Sequence, residues 1–352
     1  MKMKTCAFVS FRLGLTDGVS IVASTWQRCF ESMGWATITV AGEGPVDRRV
    51  RGLEIGAEQP PDHGELSRAL ADADLVVAEN ILTIPLNLAA SRVLVEVLRQ
   101  RPTIVHHHDP PWQRDRFAAI TDLPVDDPAW LHVTINQLTQ TQFADRGFTA
   151  TTIYNGFDVD VDTARDQDPG RRERTRHLLG IDEAQALVAH PVRAIARKNV
   201  PLALDIADAL NAVYWLPGPA EEGYGPTLDQ LLAKTSCTVL RTPLSDLGAG
   251  IADLYAACDL VVFPSTWEGF GNPPIEAAIH RRPVVVGPYP VADELRRFGF
   301  WWLDTIDMAA ARAAMEHPPR SLIEHNRRLV EAHFSLHATV GALATALGRW
   351  GW

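Results

Sequence analysis

The sequence predicts an α/β protein made of two consecutive domains, each a parallel sheet covered by helices. Two patterns predict this fold class: short apolar runs rich in β-forming residues alternate with helical patterns, and the alternation breaks once near the middle of the chain. The length agrees, because a chain of 352 residues is long enough for two domains of roughly 100–200 residues each.

The first alternating series ends near residue 157. Its strand candidates are the segments TCAFVSF, ATITVAG, DLVVAEN, PTIVHHH, WLHVTIN and TATTIYN. A helical pattern around Val19–Met33 follows the first strand, and amphipathic segments separate several of the others. The series predicts a first Rossmann-like domain over residues 1–157.

A polar, charge-dense connection from Asp158 to about Gly180 precedes the second series. The strand candidates of that series are QALVAHP, AVYWLPG, CTVLRTP, DLVVFPS and PVVVGPY. Helical patterns lie between them at Pro201–Leu210, Gly250–Ala257 and Pro273–His280. This series predicts a second Rossmann-like domain over residues 158–335.

The tail from about Ser321 has helical periodicity, and no strand candidate follows it. We expect two helices there. The last of them, residues 336–352, is expected to pack back on the first domain.

Composition argues against several classes of function. The 33 Lys+Arg and 43 Asp+Glu give a net charge of −10, whereas a non-specific nucleic-acid binder needs a basic surface. No apolar stretch is close to the length of a membrane span, which is about 18 residues. Arg12 interrupts the N-terminal apolar run, which is then too short for a signal peptide. The four cysteines form no CxxC pair, which argues against a zinc site or a disulfide framework. We expect a cytoplasmic protein with no nucleic-acid partner and no stable membrane insertion.

The densest functional signal is the segment PSTWEGFGNPPIEAAIHRRPVVV, residues 264–286. In open α/β sheets, ligands bind beyond the carboxyl ends of the strands, and Glu268 stands just beyond the strand DLVVFPS. Gly269, Phe270 and Gly271 follow it and form a loop whose backbone can approach a ligand closely.

The helix predicted after this loop completes an anion site. Asn272 is the expected N-cap and Pro273 the first helical residue. Amides at a helix N-terminus bind anions, and Glu276 adds a second carboxylate in the first turn. Two carboxylates around a phosphate loop suit a ligand with hydroxyls beside a phosphate. The alternative is an ordinary strand–loop–helix connection with surface glutamates.

The glutamates of EGFGNPPIEA, eight positions apart, resemble the donor-site motif of the retaining glycosyltransferases of family 4. The resemblance implies the GT-B fold, with two Rossmann-like domains facing an interdomain cleft. It also implies that Glu268 contacts the donor sugar and that Glu276 hydrogen-bonds the ribose of the nucleotide. The backbone from residue 269 to 272 would hold the sugar and its phosphate.

A second segment, HPVRAIARKNVPLALDIADAL, follows the predicted strand QALVAHP. Arg193 and Lys198 match the basic pair that neutralises the donor diphosphate in this family, and Arg197 is a further candidate beside them. Fixed cations stabilise the charge that builds up on a departing nucleoside diphosphate. For this segment alone, a solvated basic helix start is the alternative.

The segment RTPL closes a strand where the family binds the nucleobase, and its candidate residues are Arg241, Thr242 and Pro243. Contacts there are largely made by the backbone, so the segment does not indicate which base is bound.

In the first domain, LGLTDGVSIVAS follows the first strand. Gly18 is expected to let a helix N-terminus face the diphosphate or the acceptor. Asp17 precedes it where the family has a second glycine, and is a weaker candidate for an acceptor contact. No G-x-G-x-x-G follows this strand, which argues against a nicotinamide dehydrogenase.

The segment HHHDPPWQRDRF ends another strand. Strand alternation puts His106 and His108 on one side and His107 on the other. The resemblance matches His108 to a histidine near the donor sugar. The alternatives are histidines that cap a strand, and a metal site formed by His106, His108 and Asp109. We expect no metal, because no further His/Cys cluster supports one, and no cofactor beyond the nucleotide sugar.

The same segment offers weaker candidates for acceptor contacts: Asp109, Trp112 and Arg114. An aromatic ring suits a sugar face, and a guanidinium suits a phosphate or carboxylate.

The resemblance carried by these residues implies a retaining glycosyltransferase that transfers a hexose from a UDP- or GDP-sugar to an acceptor hydroxyl. The net charge of −10 favours a small soluble acceptor, and the His/Arg-rich segment HHHDPPWQRDRF favours one that bears a carboxylate or phosphate. The alternatives are a sugar-nucleotide epimerase of similar fold, a glycosyltransferase acting on a lipid or polysaccharide, and a non-catalytic two-lobed binding protein.

Overall fold

The computed structural model describes residues 3–15, 17–160, 168 and 170–352. The chain forms two compact units: Met1–Phe157 together with Phe334–Trp352, and Asp158–His333. We call them the first and the second domain. The chain returns to the first domain at Phe334, slightly before the boundary at residue 336 that the helical pattern predicts.

The first domain is built on a parallel sheet. Its strands are β1 (Thr5–Arg12), β2 (Ala36–Glu43), β3 (Arg48–Arg49), β4 (Leu75–Glu79), β5 (Thr103–His107), β6 (Trp130–Thr134) and β7 (Ala150–Thr152). The helices that follow them are α1 (Gly18–Ser32), α2 (His63–Ala69), α3 (Leu88–Leu98) and α4 (Gln137–Ala144). The strand order is β3-β2-β1-β4-β5-β6-β7, so the order reverses between β1 and β4.

The second domain repeats this plan. Its strands are β8 (Leu187–Ala189), β9 (Val213–Trp215), β10 (Val239–Leu240), β11 (Leu260–Phe263), β12 (Val284–Val286) and β13 (Leu303–Asp304). Its helices are α5 (Arg171–Leu179), α6 (Val200–Ala209), α7 (Gly225–Leu232), α8 (Ile251–Ala257), α9 (Asn272–Ile279), α10 (Pro290–Arg296), α11 (Met308–Glu316) and α12 (Arg320–His333). The strand order is β10-β9-β8-β11-β12-β13, so the reversal lies between β8 and β11.

The C-terminal helix α13 (Leu336–Trp350) packs on the first domain, as its pattern predicts. The sheet of the first domain is covered on both faces. Successive residues of each strand point to opposite faces and therefore pack in different clusters. Val9 of β1 packs in one core cluster with α2 and α3, whereas Phe8 packs in another with Trp26 of α1 and Leu343 of α13. Burial of the Trp26 side chain alone contributes roughly 2–3 kcal/mol to the free energy of unfolding. No described helix combines the length and the apolar character that crossing a membrane requires.

A chain of hydrogen bonds crosses the carboxyl end of β5. The Oγ1 atom of Thr83 lies 2.7 Å from Nδ1 of His107, and Nε2 of His107 lies 2.8 Å from Nδ1 of His132. The Nε2 atom of His132 lies 3.0 Å from Oδ1 of Asp126. Neutral imidazoles satisfy every link, because each ring donates with Nε2 and accepts with Nδ1.

Both histidines are buried in this neutral form. Burial and the neighbouring His132 hold the pKa of His107 well below its ordinary value. Burial also lowers the pKa of His132, although the hydrogen bond to Asp126 opposes that shift. Because both pKa values are lower in the folded state, their contribution to stability is present above about pH 6.5 and is lost as the pH falls.

We expect acidification from pH 7.5 to 5.5 to destabilise the protein, with a contribution of about 1.4 kcal/mol from each histidine that stays neutral when folded. Unfolding by urea at the two pH values measures this loss. In the His107→Gln variant the loss is expected to shrink by about that amount, whereas the exposed His63→Gln serves as the matched control. An unchanged pH dependence in His107→Gln would contradict the assignment.

Candidate active site

The loops after β8 and β11 lie together at the reversal of the second sheet. The loop after β8 contains a 3₁₀ turn at Ala196–Lys198 and leads into α6. The loop after β11 carries Glu268 and leads into α9. The N–H of Thr266 donates to the carbonyl of Arg197 at 2.9 Å and joins the two loops. Open α/β sheets bind their ligands at such a reversal.

Glu268 lies between two cations at this position. Lys198 Nζ is 2.5 Å from Glu268 Oε1, and Arg197 Nη1 is 2.6 Å from Glu268 Oε2. Glu268 is 6% exposed and Lys198 is 9% exposed. Each carboxylate oxygen is therefore held by a separate charge-assisted hydrogen bond. With two cations and one anion, the cluster carries an excess positive charge that favours an anionic ligand.

The buried setting shifts the pKa values of the cluster. Burial lowers the pKa of Lys198 to about 8, with Arg197 adding to the effect and Glu268 opposing it. Burial favours protonation of Glu268, but Lys198 and Arg197 outweigh it and hold the pKa of that carboxyl below its ordinary value. Lys198 and Glu268 are therefore both ionised near pH 7. Buried charges gathered at a sheet reversal are typical of functional sites.

Helix α9 begins one residue earlier than its sequence predicts. Gly271 is the N-cap, so Asn272 is the first helical residue and Pro273 the second. The reason is the left-handed conformation of Gly271, with φ at 100°, which turns the chain into the helix. A Cβ at this position would lie 2.1 Å from the hydroxyl of Tyr289, so the turn requires glycine. Because Gly271 has no side chain, an anion can occupy the capping position of α9.

Glu276 is half-buried in the second turn of α9, and not in the first turn as predicted, because the helix already begins at Asn272. It is fixed by a residue that the sequence did not single out. The hydroxyl of Tyr255 on α8 donates to Glu276 Oε2 at 2.7 Å. Tyr255 is fully buried. Its pairing with Glu276 joins two separate helices, and no local pattern in the sequence indicates it.

Arg193 lies outside the Glu268 cluster. It forms an ion pair with Glu221 at 2.5 Å, and both side chains are partly exposed. Arg193 is nevertheless close enough to contribute to the lowered pKa of Lys198. The structure therefore places Arg197 and Lys198 in contact with Glu268. Arg193 is a neighbouring cation that is more exposed to solvent.

The segment 241–243 lies after β10 and is held largely through its backbone. Trp215 Nε1 donates to the carbonyl of Thr242 at 2.9 Å, and Arg241 Nη2 donates to the carbonyl of Gly218 at 2.9 Å. Pro243 precedes a 3₁₀ turn. These contacts give the segment a defined shape beside the loop after β9.

In the first domain, Gly18 is the first residue of α1, and Asp17 caps the helix. Asp17 Oδ1 accepts from the N–H of Ser20 at 3.2 Å, and Asp17 Oδ2 accepts from the hydroxyl of Ser20 at 2.9 Å. Arg12 lies 3.4 Å from the same carboxylate. Asp17 therefore already has partners within the first domain. Its contact with the acceptor remains a prediction. A Cβ at Gly18 would meet open space, so packing does not require glycine there.

His108 belongs to a buried triad at the carboxyl ends of β4 and β5. Glu79 Oε2 lies 3.0 Å from Nε2 of His108, and both of its oxygens lie 3.0 Å from Nδ1 of His106. The parallel register of the two strands pairs Glu79 with His106 directly. Burial favours protonation of Glu79, but the charges and hydrogen bonds of the two histidines outweigh it and lower the pKa. Strand alternation thus predicts which histidines share a side, but not their carboxylate partner.

The triad corrects the metal alternative that the sequence suggests. Glu79, and not Asp109, joins His106 and His108, and the ligand atoms of the three lie within 4.8 Å of one another. The buried Nε2 of His106 has no hydrogen-bond partner among the described residues. A metal bound at Nδ1 of His106 would leave an unpaired N–H at the buried Nε2. Donation from Nδ1 to Glu79 leaves only a lone pair at Nε2, which costs less free energy. The expected absence of a metal remains a prediction.

Asp109 and Arg114 form an ion pair with each other. Asn80 supports this loop, because its Oδ1 accepts from the N–H of His108 at 3.1 Å and from that of Asp109 at 3.2 Å. Trp112 donates from Nε1 to Gln142 at 2.8 Å, and the guanidinium of Arg146 lies 4.0 Å from the centre of its ring. One face of the indole is therefore covered by a cation and is not open to a sugar.

Comparison with known proteins matches the second domain to a family. Residues 195–314, which include the Lys198–Glu268 cluster and α9, match the family described as glycosyl transferases group 1. The mannosylglucosylglycerate synthase of Thermotoga maritima is 25% identical to this chain, over 94% of this chain and 96% of its own length. The D-inositol 3-phosphate glycosyltransferase of Mycolicibacterium smegmatis is 30% identical over 62% of this chain and 51% of its own length.

Solved structures share the fold. HepE from Anabaena in complex with UDP-glucose superposes with a TM-score of 0.76, at 20% identity, over 98% of this chain and 99% of that chain. Sucrose-phosphate synthase from Thermosynechococcus elongatus gives a TM-score of 0.70 at 14% identity, over 98% of each chain. The fold is therefore GT-B, as the sequence predicts.

Fold, family match and relatives define the class of protein: the chain is a glycosyltransferase of the GT-B fold. More narrowly, its second domain carries the segment that matches the group 1 glycosyltransferases. Membership of family 4 and retention of the anomeric configuration remain predictions.

We expect Gly271→Ala to destabilise the protein by about 1–3 kcal/mol, because the residue must adopt a positive φ and its Cβ would clash with the Tyr289 hydroxyl. Thermal unfolding measures the change. Gly225→Ala is the matched control, since a Cβ at that position of α7 meets no atom within 4 Å. Equal stability of the two variants would contradict the requirement for glycine at residue 271.

Proposed function

We propose that the protein is a retaining hexosyltransferase of family 4 that uses a UDP- or GDP-sugar and a small polar or anionic acceptor. In the reaction, the bond between the anomeric carbon and the diphosphate oxygen breaks, and a bond from the acceptor oxygen forms on the same face of the sugar. The acceptor proton passes to the departing phosphate, so no side chain has to act as a strong general base.

The observation that carries this proposal is the buried cluster of Lys198, Arg197 and Glu268. Negative charge develops on the diphosphate as the bond to the sugar breaks, and fixed cations stabilise that charge without reorganising. Lys198 and Arg197 supply these cations, and Arg193 adds a third, more exposed one. Glu268 orients these two cations through its two oxygens and contacts the donor sugar.

The N-terminus of α9 binds the phosphate beside these cations. Gly269, Phe270 and Gly271 offer backbone to the sugar and its phosphate, and Asn272 begins the helix whose dipole favours the anion. Glu276 accepts hydrogen bonds from the ribose, and the backbone of Arg241, Thr242 and Pro243 borders the base. With protein cations at the diphosphate, no divalent metal is needed for leaving-group stabilisation.

In the first domain, His108 contacts the donor sugar or the acceptor. Glu79 and Asn80 hold its ring and its backbone. The N-terminus of α1 at Gly18 faces the diphosphate or the acceptor, and the Asp109–Arg114 pair is assigned to the acceptor.

Two similar proteins have names that support an anionic acceptor. One makes a glycerate derivative, which bears a carboxylate, and the other acts on an inositol phosphate. Arg114 is the cation of the acceptor loop that suits such a group. An epimerase is less favoured, because the relatives are named as synthases or glycosyltransferases.

We expect Lys198→Ala to lower kcat for transfer by roughly 10²–10³-fold, because it removes a donor at the oxygen where charge develops. Transfer from a panel of UDP- and GDP-sugars measures this loss. Lys198→Arg keeps the charge and should restore part of the rate, and the exposed Lys234→Ala is the matched control. Full activity in Lys198→Ala would overturn the assignment of the donor site.

The acceptor assignment has its own test. Arg114→Ala should raise KM for glycerate and glucosylglycerate and leave KM for glycerol and glucosylglycerol within about twofold, since a rim cation contributes about 0.2–1 kcal/mol and only toward an anion. Arg92→Ala, which removes another partly exposed arginine of the first domain, is the control. A strict requirement for a lipid acceptor, or equal effects on both acceptor types, would contradict the assignment.

A further inference from the structure

Tyr255 is a buried residue of the second domain that contacts Glu276. It lies in the middle of α8, is 0% exposed, and donates from its hydroxyl to Glu276 Oε2 at 2.7 Å. The carbonyl of Pro273 is a second, more distant acceptor at 3.4 Å. The hydroxyl has a single proton, so the shorter contact, to the carboxylate, is the principal bond.

The ring of Tyr255 is fixed on its other sides as well. It stacks on His280 with ring centres 4.8 Å apart and planes 9° from parallel. Its own carbonyl accepts from Arg282 Nε at 2.5 Å, which ties the end of α8 to the loop after α9. Because His280 and Arg282 both follow α9, the tyrosine is positioned against the helix that carries Glu276.

We infer that Tyr255 is a positioning residue that fixes Glu276 for the ribose and thereby sets the preference for a ribonucleotide donor. This inference rests on the proposed function, in which Glu276 accepts from the ribose hydroxyls. The tyrosine occupies Oε2 and holds the carboxyl group in one rotamer. The carboxylate then meets the ribose hydroxyls without the entropy loss of ordering a mobile side chain when the donor binds.

The effect falls on the ribose hydroxyls alone. A ribonucleotide gains from the fixed carboxylate, because its 2′ and 3′ hydroxyls can donate to Glu276. A 2′,3′-dideoxynucleotide has no hydroxyl to donate, so the orientation of Glu276 contributes nothing to its binding. The ratio of the two affinities therefore reports the positioning of Glu276 separately from general damage to the domain.

The test measures Kd by calorimetry for a nucleoside diphosphate and its 2′,3′-dideoxy analogue. The probe is whichever of UDP, GDP and ADP stabilises the wild-type protein most in thermal unfolding. We expect Tyr255→Phe to weaken binding of the ribonucleotide about 3- to 10-fold, as loss of one ordered side chain predicts, and to leave binding of the dideoxy analogue unchanged. Tyr214→Phe is the matched control, because Tyr214 is equally buried and donates or accepts at His190 instead.

The possible outcomes separate the positioning role of Tyr255 from the proposed role of Glu276. Equal weakening of both nucleotides in Tyr255→Phe, or no weakening of either, would overturn the positioning role. In the Glu276→Ala background, Tyr255→Phe should cause no further loss for the ribonucleotide, and a further loss would also contradict the inference. If the wild-type protein binds both nucleotides equally, or if Glu276→Ala leaves ribonucleotide binding intact, the proposed role of Glu276 itself fails.

Discussion

A carboxylate buried between two cations is the interaction on which the functional end of the second domain depends. Glu268 is 6% exposed and holds Lys198 with one oxygen and Arg197 with the other. Burying such charges carries a penalty of several kcal/mol per ion, and loss of one partner leaves another uncompensated. The cluster therefore fixes two loops from different strands in a single geometry. It also keeps Lys198 charged near neutral pH, although burial lowers its pKa to about 8.

The same cluster resolves an apparent conflict in the charge of the chain. A net charge of −10 does not favour a doubly charged diphosphate as ligand. The local balance is different, because Lys198 and Arg197 outnumber Glu268 and the N-terminus of α9 lies in the same domain. Fields near a site depend on nearby charges in a medium of low dielectric constant, whereas distant surface charges are screened by salt. An acidic protein can thus present a cationic site.

The apolar runs were sufficient to predict both sheets, because parallel strands buried on both faces read as near-continuous apolar segments between helical patterns. The helical periodicity of the tail predicted α13. The two-residue edge strands β3 and β13 were missed, because such short strands carry no periodic pattern. Glu268 and Glu276 were found as a motif. Their partners were only partly found: Arg197 and Lys198 were named, whereas Tyr255 was not. Glu79, the partner of His106 and His108, was also missed.

The residues that were missed share one physical cause. Glu79 meets His106 and His108 through the register of β4 and β5, and Tyr255 meets Glu276 through the packing of α8 on α9. Such partners depend on three-dimensional contacts that no local spacing encodes. The shift of the N-cap from Asn272 to Gly271 has a different cause. A left-handed glycine sets where the chain turns into the helix, and the side-chain preference of asparagine does not override it.

A crystal structure of the protein with the nucleoside diphosphate that it binds most tightly tests the central claim directly. We expect the diphosphate oxygens within hydrogen-bond distance of Lys198 Nζ and of the backbone at the start of α9, with the ribose hydroxyls on Glu276. A nucleotide bound away from the ends of β8 and β11, with the Lys198–Glu268 pair untouched, would contradict the account.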